Sequence, residues 1–325
     1  MWDTVPWFIG GGAQHSPEVA RMMLFAATGG AEGVVLPGDL KVLPLDVPGG
    51  AVRAVPGGVL IRNRATGGDS QTYGGRLVTE DVVQIAPTGS GAGRSDLVVA
   101  RIEDPNMAGE TWGEPEDPTV GPYIFTRVIP NVPKTTTRVK DVPGYATSTA
   151  IEIARVDLPA STGTVTAAMI TDLRRVAVPR SARSLDLQRS SVSQLNATAG
   201  EAYFPPNTQQ IYVPDWATRL TGYVTANGMV QRGTDEAMAT RVRLGNAATG
   251  VYSISTVTDL DAELGDAQRR SPIFGISIAI PASMRGTTQP VSCWSTRMYP
   301  TAKGRFSTDT ATQVLFDLLF EEAPT

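Results

Sequence analysis

The sequence predicts a mainly β protein in two domains. An N-terminal β-rich domain with one short helix is expected over residues 1–178, a connector over 179–202, and a C-terminal antiparallel β-sandwich, jelly-roll-like, over 203–325. Three observations carry this expectation. Glycine and proline number 33 and 24 of 325 residues while charged residues make up only 18 %, which suits short strands separated by many turns. A strand pattern recurs, VARIEDP at 99–105 and IARVDLP at 153–159: small apolar residues, an arginine, a β-branched residue, an acid and a proline stop. After residue 201, seven runs of strand character are separated by turn signals 10 to 20 residues apart, the spacing of a sandwich.

The first element is a helix. Ser16 can cap it, Pro17 sits where a missing N–H costs nothing, Glu18 faces the positive end of the dipole, and Gly29-Gly30 stops it. Val19, Met22, Met23 and Ala26 form an apolar stripe with Leu24 and Phe25 off it, so cover on two sides is expected, from the following sheet or a neighbouring subunit. From Val34 to Arg76, glycine pairs at 49–50, 57–58 and 67–68 recur at hairpin spacing and are expected to supply positive φ. Val82 to Pro87 adds a strand before the loop TGSGAG (88–93), and RSDLVVARIED (94–104) runs into the first twin strand. Residues 103–122 are too rich in Pro and Gly for an element and read as a long surface loop. YIFTRVI (123–129) and residues 151–158 resume the sheet, in which the twin strands are expected to be neighbours.

Residues 180–200 are rich in Arg and Ser. Leu185, Gln188, Val192 and Leu195 fall at heptad spacing, but two heptads do not make a coiled coil, and a plain linker stands beside that reading. In the sandwich, Asn227-Gly228 between two alternating runs signals a hairpin. The final strand has Val314, Phe316, Leu318 and Phe320 on one face and Leu315 and Leu319 beside Asp317 on the other, which predicts a central strand buried on both faces.

Composition limits function. A net charge of −4 and no run of Lys or Arg give no support to a nucleic-acid surface. The basic residues are 24 Arg against four Lys (Lys41, Lys134, Lys140 and Lys303), a skew usual for GC-rich genomes. A single cysteine, Cys293, excludes an intramolecular disulfide and a cysteine-based zinc site. No stretch reaches the roughly 20 apolar residues of a membrane span, and Asp3, Gly10 and Pro17 ahead of the apolar residues 19–28 argue against a signal peptide.

Catalytic devices are not expected. His15 is the single histidine, and the sequence has no GxSxG motif to place a nucleophile near it, so a local hydrogen bond before the helix is the expected role. The TGSGAG loop with Gly89, Gly91 and Gly93 lacks the Lys-Ser/Thr ending of a phosphate cradle and leads into a strand, so it reads as a turn. Acid clusters at Glu110, Glu114, Glu116 and Asp117 and at Asp259, Asp261, Glu263 and Asp266 read as solvated turns; Gly265 comes too late for a calcium loop. No catalytic, cofactor or metal residue is therefore assigned. Two carboxylates of a glycosidase leave no spacing in sequence and stay an alternative. The C-terminal half holds Tyr203, Tyr212, Trp216, Tyr223, Tyr252, Trp294 and Tyr299. Of these, Trp216 and Tyr299 lie near expected loops and are the candidate glycan contacts.

RSDLVVARIED, its echo and MITDLRRVAVP (169–179) resemble the N-terminal domain of tail-tip or upper-baseplate proteins of long-tailed bacteriophages. DTVPWFIGGGAQHSPEVARMM (3–23) is similar to minor tail proteins of phages that infect actinobacteria. The resemblance covers residues 1 to about 178. It implies a structural virion component, made in the host cytoplasm and multimeric, commonly a homotrimer. The N-terminal domain would dock on other tail or baseplate proteins, and the remainder would face the host surface. Trp2, Trp7 and Phe8 are then candidates for contact with a neighbouring subunit. A purely architectural sandwich is the other structural reading.

Overall fold

The computed structural model describes residues 11, 13–196, 200–233, 236–260, 264–299 and 304–325, with the backbone alone for 260 and 264–266. Trp2, Trp7 and Phe8 lie outside the described residues. The protein is mainly β with one α-helix, and the chain divides into two units. The first ends at Val178 and takes in Pro324–Thr325; the second spans Pro179–Ala323.

In the first unit, helix α1 (Pro17–Thr28) starts and stops as its termini dictate. The Ser16 hydroxyl accepts from the Val19 N–H at 3.5 Å, and Gly29 takes the left-handed conformation at φ 62°. Among the described residues of the chain the helix is covered on one side: no helix residue is buried, and Met22 and Met23 are exposed on the side where a neighbouring subunit is the alternative cover. The strands that follow are β1 (Gly33–Val34), β2 (Val42–Pro44), β3 (Ala51–Ala54), β4 (Gly57–Arg62), β5 (Thr72–Leu77), β6 (Asp81–Gln84), β7 (Arg94–Ile102), β8 (Ile124–Val132), β9 (Ala150–Leu158) and β10 (Ile170–Asp172). They form three antiparallel sheets in the orders β1-β4-β5, β2-β3-β6 and β10-β9-β7-β8. The helix rests on β5, where Gly74 leaves room for the Leu24 side chain.

Two of the three glycine pairs sit in hairpin loops, but the reason expected for them holds only at Gly67, with φ 82°. Gly57 and Gly58 lie inside β4, and β3 and β4 belong to different sheets. A Cβ on Gly57 would stand 2.4 Å from the Cβ of Asp39, so close packing rather than a turn selects glycine there.

The twin strands are neighbours, as expected: β7 pairs β9 antiparallel along its length. Ser95 to Ala100 are all buried because β7 has a hydrophobic core on each face. Asp96, fully buried, carries the irregularity between β7 and β8. Its carboxylate takes the Asn131 amide at 2.9 Å and the Arg94 guanidinium at 2.7 and 2.9 Å. Residues 103–122 form no strand or helix, in keeping with the surface-loop reading.

The second unit corrects the connector. Residues 181–189 are strand β11 (Ser181–Arg189), paired with the final strand over all nine residues; β12 (Ser193–Gln194) follows. The Arg/Ser-rich composition misled because this is an edge strand that buries no side chain fully; its alternation of exposed and half-buried positions has period 2, not 3.5. The remaining strands are β13 (Ala202–Val213), β14 (Arg219–Asn227), β15 (Met229–Gly233), β16 (Glu236–Leu244), β17 (Val251–Tyr252), β18 (Thr256–Leu260), β19 (Leu264–Arg270), β20 (Ile273–Ala279), β21 (Thr287–Arg297), β22 (Arg305–Thr308) and β23 (Gln313–Glu321).

Asn227-Gly228 does not close a hairpin. β14 pairs with β20 and β23, whereas β15 pairs with β19 and β22. The sheets β11-β23-β14-β20 and β12-β22-β15-β19 repeat one strand order, so four long strands cross a shared corner and continue. Gly228, at φ 72°, makes the bend in its strand. Side chains tie the four crossings together. The Gly228 carbonyl accepts from Arg269 at 2.8 Å and from the Thr312 hydroxyl at 3.2 Å, and the Thr308 hydroxyl donates to the Ser191 carbonyl at 2.8 Å.

The facing sheet runs β13-β21-β16-β17, with β18 also on β16. When each bent or interrupted strand is taken as one, eight strands fall into two antiparallel sheets of four, in the orders 1-8-3-6 and 2-7-4-5, which is the pattern of a jelly roll with the former connector as the first strand. One core, including Phe204, Phe274, Phe306 and Phe316, fills the sandwich. The final strand is central, as expected, with Val314, Phe316, Leu318 and Phe320 in that core; on its other face Leu315 and Leu319 are only half-buried.

Candidate functional site

Alternation along a half-buried strand decides what the jelly roll shows outward. In β16, Met238, Thr240, Val242 and Leu244 point into the core, which leaves Arg241 and Arg243 on the outer face; in β21, Cys293 and Ser295 point inward and Ser292 and Trp294 outward. Register then sets these residues side by side. Trp294 lies opposite Tyr203 of β13 on one side and Arg241 on the other, while Arg243 lies between Ser292 and Tyr252 of β17.

The result is a platform of rings and guanidinium groups. Tyr203 and Trp294 have ring centroids 6.0 Å apart with planes tilted by 40°. The Arg243 guanidinium stands 4.1 Å from the Trp294 ring centre, and that of Arg241 stands 4.6 Å from the Tyr252 ring centre. Such contacts are worth about 0.5 to 2 kcal/mol each. Hydrogen bonds fix the pieces: Trp294 donates its indole N–H to the Ser292 hydroxyl at 3.0 Å, the Tyr203 and Thr208 hydroxyls meet at 2.7 Å, and Arg241 donates to Glu201 at 2.6 Å. Tyr212, exposed farther along β13, extends the aromatic surface.

Rigid rings with polar tips on a flat sheet can stack against the C–H faces of sugar rings while neighbouring hydroxyls and guanidinium groups bond the sugar oxygens. The platform residues include one carboxylate, Glu201, which is already held by Arg241.

The two candidates from the sequence lie elsewhere and are not brought together. Trp216 is half-buried against the sandwich core with Arg180 5.4 Å from its ring centre. Tyr299 is 52 % exposed, and its amide donates to Glu236 at 3.2 Å. The platform residues were missed because a tryptophan and arginines within alternating runs look like ordinary strand; a strand-by-strand count of face parity would have found them.

His15 precedes the helix and is half-buried. Cys293 is buried in the core, and desolvation pushes its thiol well above the ordinary range. The 88–93 loop leads into β7 with no helix behind it. Gly93 approaches the Leu158 carbonyl too closely for any Cβ, and beside it Ser95, Lys134 and Asp157 line an open cavity of about 420 Å³. Asp117 caps its own turn through Thr119. Asp259 is exposed, while Asp261, Glu263 and the Asp266 side chain lie outside the described residues. Among the described residues no three metal-type ligands converge, and no helix is long and apolar enough to cross a membrane.

No family model matches the chain, and no curated protein matches it. Among solved structures, the infectious bursal disease virus Gt strain is similar at 10 % identity over 91 % of this chain and 76 % of that one, TM-score 0.24. The VP2 subviral particle of infectious bursal disease virus is similar at 11 % identity over 95 % and 83 %, TM-score 0.25. A carbohydrate-binding module of the β-sandwich superfamily is similar at 8 % identity over 90 % and 97 %, TM-score 0.15. Superpositions with TM-scores this low carry no weight for fold or function.

Proposed function

We propose that this chain is a non-enzymatic structural protein of a phage virion, at the tail tip or baseplate, whose jelly roll binds a saccharide on the host surface. The single observation that carries adhesion is the platform of Tyr203, Trp294 and Tyr252 with Arg241 and Arg243. The setting in a tail is supported by the resemblance of residues 94–104 and 169–179 to tail-tip proteins. Shallow sites of this kind bind weakly one at a time. A homotrimer presenting three of them on one rigid base gains avidity through effective concentration, with no deep pocket needed.

Whole-cell binding by the full chain tests the reading. Trp294→Ala is expected to lower attachment about fivefold to a hundredfold, the effect of losing a stacking anchor worth roughly 1 to 3 kcal/mol. Attachment unchanged by Trp294→Ala and Tyr203→Ala together would remove the platform from consideration.

A second, architectural reading also rests on a specific observation. The outer face of the bent sheet carries Leu185, Leu187, Tyr223 and Ile273 exposed beside half-buried Leu315 and Leu319. An apolar sheet face of this kind marks a surface that another protein covers.

A further inference from the structure

The adhesion reading leaves one group of the platform unexplained. Arg243 is only 8 % exposed, and its Nε–H is buried without an acceptor. Its guanidinium makes no hydrogen bond or ion pair with any described residue, whereas that of Arg241 beside it is matched by Glu201. Its stem is held in place: a Cβ on Gly250 would lie 2.8 Å from the Arg243 Cδ, so the turn Asn246–Gly250 clamps the chain, and the Trp294 face takes the guanidinium. Leaving that buried N–H without an acceptor is unfavourable, and the cation–π contact with Trp294 offsets only part of it. A pre-positioned, uncompensated guanidinium is how proteins wait for an oxyanion.

We propose that the platform's ligand is an anionic saccharide, with Arg243 binding its carboxylate or phosphate while Trp294 and Tyr203 stack on the sugar rings. This rests on the platform reading and narrows it. The charged groups of the platform are Arg241, Arg243 and Glu201; Glu201 neutralises Arg241, which leaves Arg243 as the net charge offered to ligand. A neutral sugar cannot use that charge. An anion gains a charge-assisted, forked hydrogen bond worth roughly 1.5 to 3 kcal/mol, or about tenfold to a hundredfold in affinity.

Calorimetric titration of the full chain tests this with matched probes: hexagalacturonate against its carboxyl-reduced hexagalactoside, and an oligomannoside with and without a 6-phosphate. At least one anionic probe is expected to bind about tenfold or more tighter than its neutral twin, the preferred arm telling carboxylate from phosphate. That preference should shrink as salt rises from about 0.05 to about 0.5 M. In Arg243→Gln the preference for the anionic twin should vanish. The comparison of twins in the unaltered protein needs no variant, so a misfolded Arg243→Gln does not rescue the idea. Equal binding of twins, lost in Trp294→Ala, would overturn the anionic assignment and leave the platform standing. A preference that survives in Arg243→Gln overturns the role of Arg243. Binding of none of the four probes, joined with unchanged host-cell attachment by Trp294→Ala, overturns both readings.

Discussion

At the residue scale, several motifs that drew attention in the sequence hold charge pairs two residues apart, along a strand or just past its end. Arg94 pairs Asp96, Arg155 pairs Asp157 and Arg174 pairs Asp172, each at 3.0 Å or less. Period-2 geometry makes this spacing natural, so the pattern was legible, but its purpose was not. Asp96 holds a strand irregularity through the Asn131 amide, and Arg174 is buried among the carbonyls of Pro37, Asp39 and Thr325; those partners are 35 to 151 residues away in sequence. Asp309 is a carboxylate whose role can be read by pH. Hydrogen bonds from Arg269, then from the Ala311 amide and Thr312, hold it down to about 2. A carboxyl group depressed in the folded state stabilises above its unfolded value of about 3.9 and loses that contribution as pH falls through its folded value. Unfolding midpoints followed from about pH 5 to about pH 2 should therefore fall less steeply in Asp309→Asn than in the parent, since the substituted group no longer titrates. Identical slopes would mean that Asp309 is not held this way in solution.

Elements were legible where local chemistry decides them and misread where a second sheet decides. The helix ends follow from Ser16, Pro17 and Gly29 alone, and the twin strands pair because each is an apolar run that one sheet can bury. Residues 180–200 failed as a strand prediction because an edge strand needs no buried side chain, so polarity says little about it. Asn227-Gly228 failed because a left-handed glycine serves a corner as well as a hairpin, and only the partners of β14 and β15 tell the two apart. The corner makes a prediction of its own. Gly228→Ala places a side chain at φ 72° and should cost roughly 1 to 2 kcal/mol of stability. Gly275→Ala, in β20 with open space around its Cβ position, should instead be neutral or gain roughly 0.5 to 1 kcal/mol. Urea denaturation of both variants decides it, and equal costs at the two sites would sink the account of the corner.

At the scale of the molecule, the first unit buries two core clusters and the second unit one, and the proposed assembly has to use what these leave uncovered. In the jelly roll the two sheets differ in what they show. One presents rings and arginines held by hydrogen bonds and by ring contacts, suited to a hydrated ligand; the other presents Leu185 at 62 % and Leu187 at 56 % exposure, with Ile273 at 58 %. Register puts Leu187, Leu315, Thr225 and Ile273 in one row across four strands and Leu185, Asp317 and Tyr223 in the next, so the apolar side chains share one face, interrupted by Thr225 and Asp317. An apolar sheet face with Arg183 and Asp317 paired on it is suited to a second copy of the same surface, as the proposed multimer requires. Leu185→Lys with Leu187→Lys would set like charges against each other across such a contact while leaving the core untouched. Light scattering should then give a multimeric mass for the parent and a lower mass for the double variant, with unfolding temperatures within a few degrees at dilutions where both are monomeric. Host attachment should fall with the mass even though the aromatic platform is intact, because avidity depends on the number of platforms held together. A parent protein that scatters as a stable monomer would break the link between assembly and adhesion, and the apolar face would then be a seat for a different tail protein.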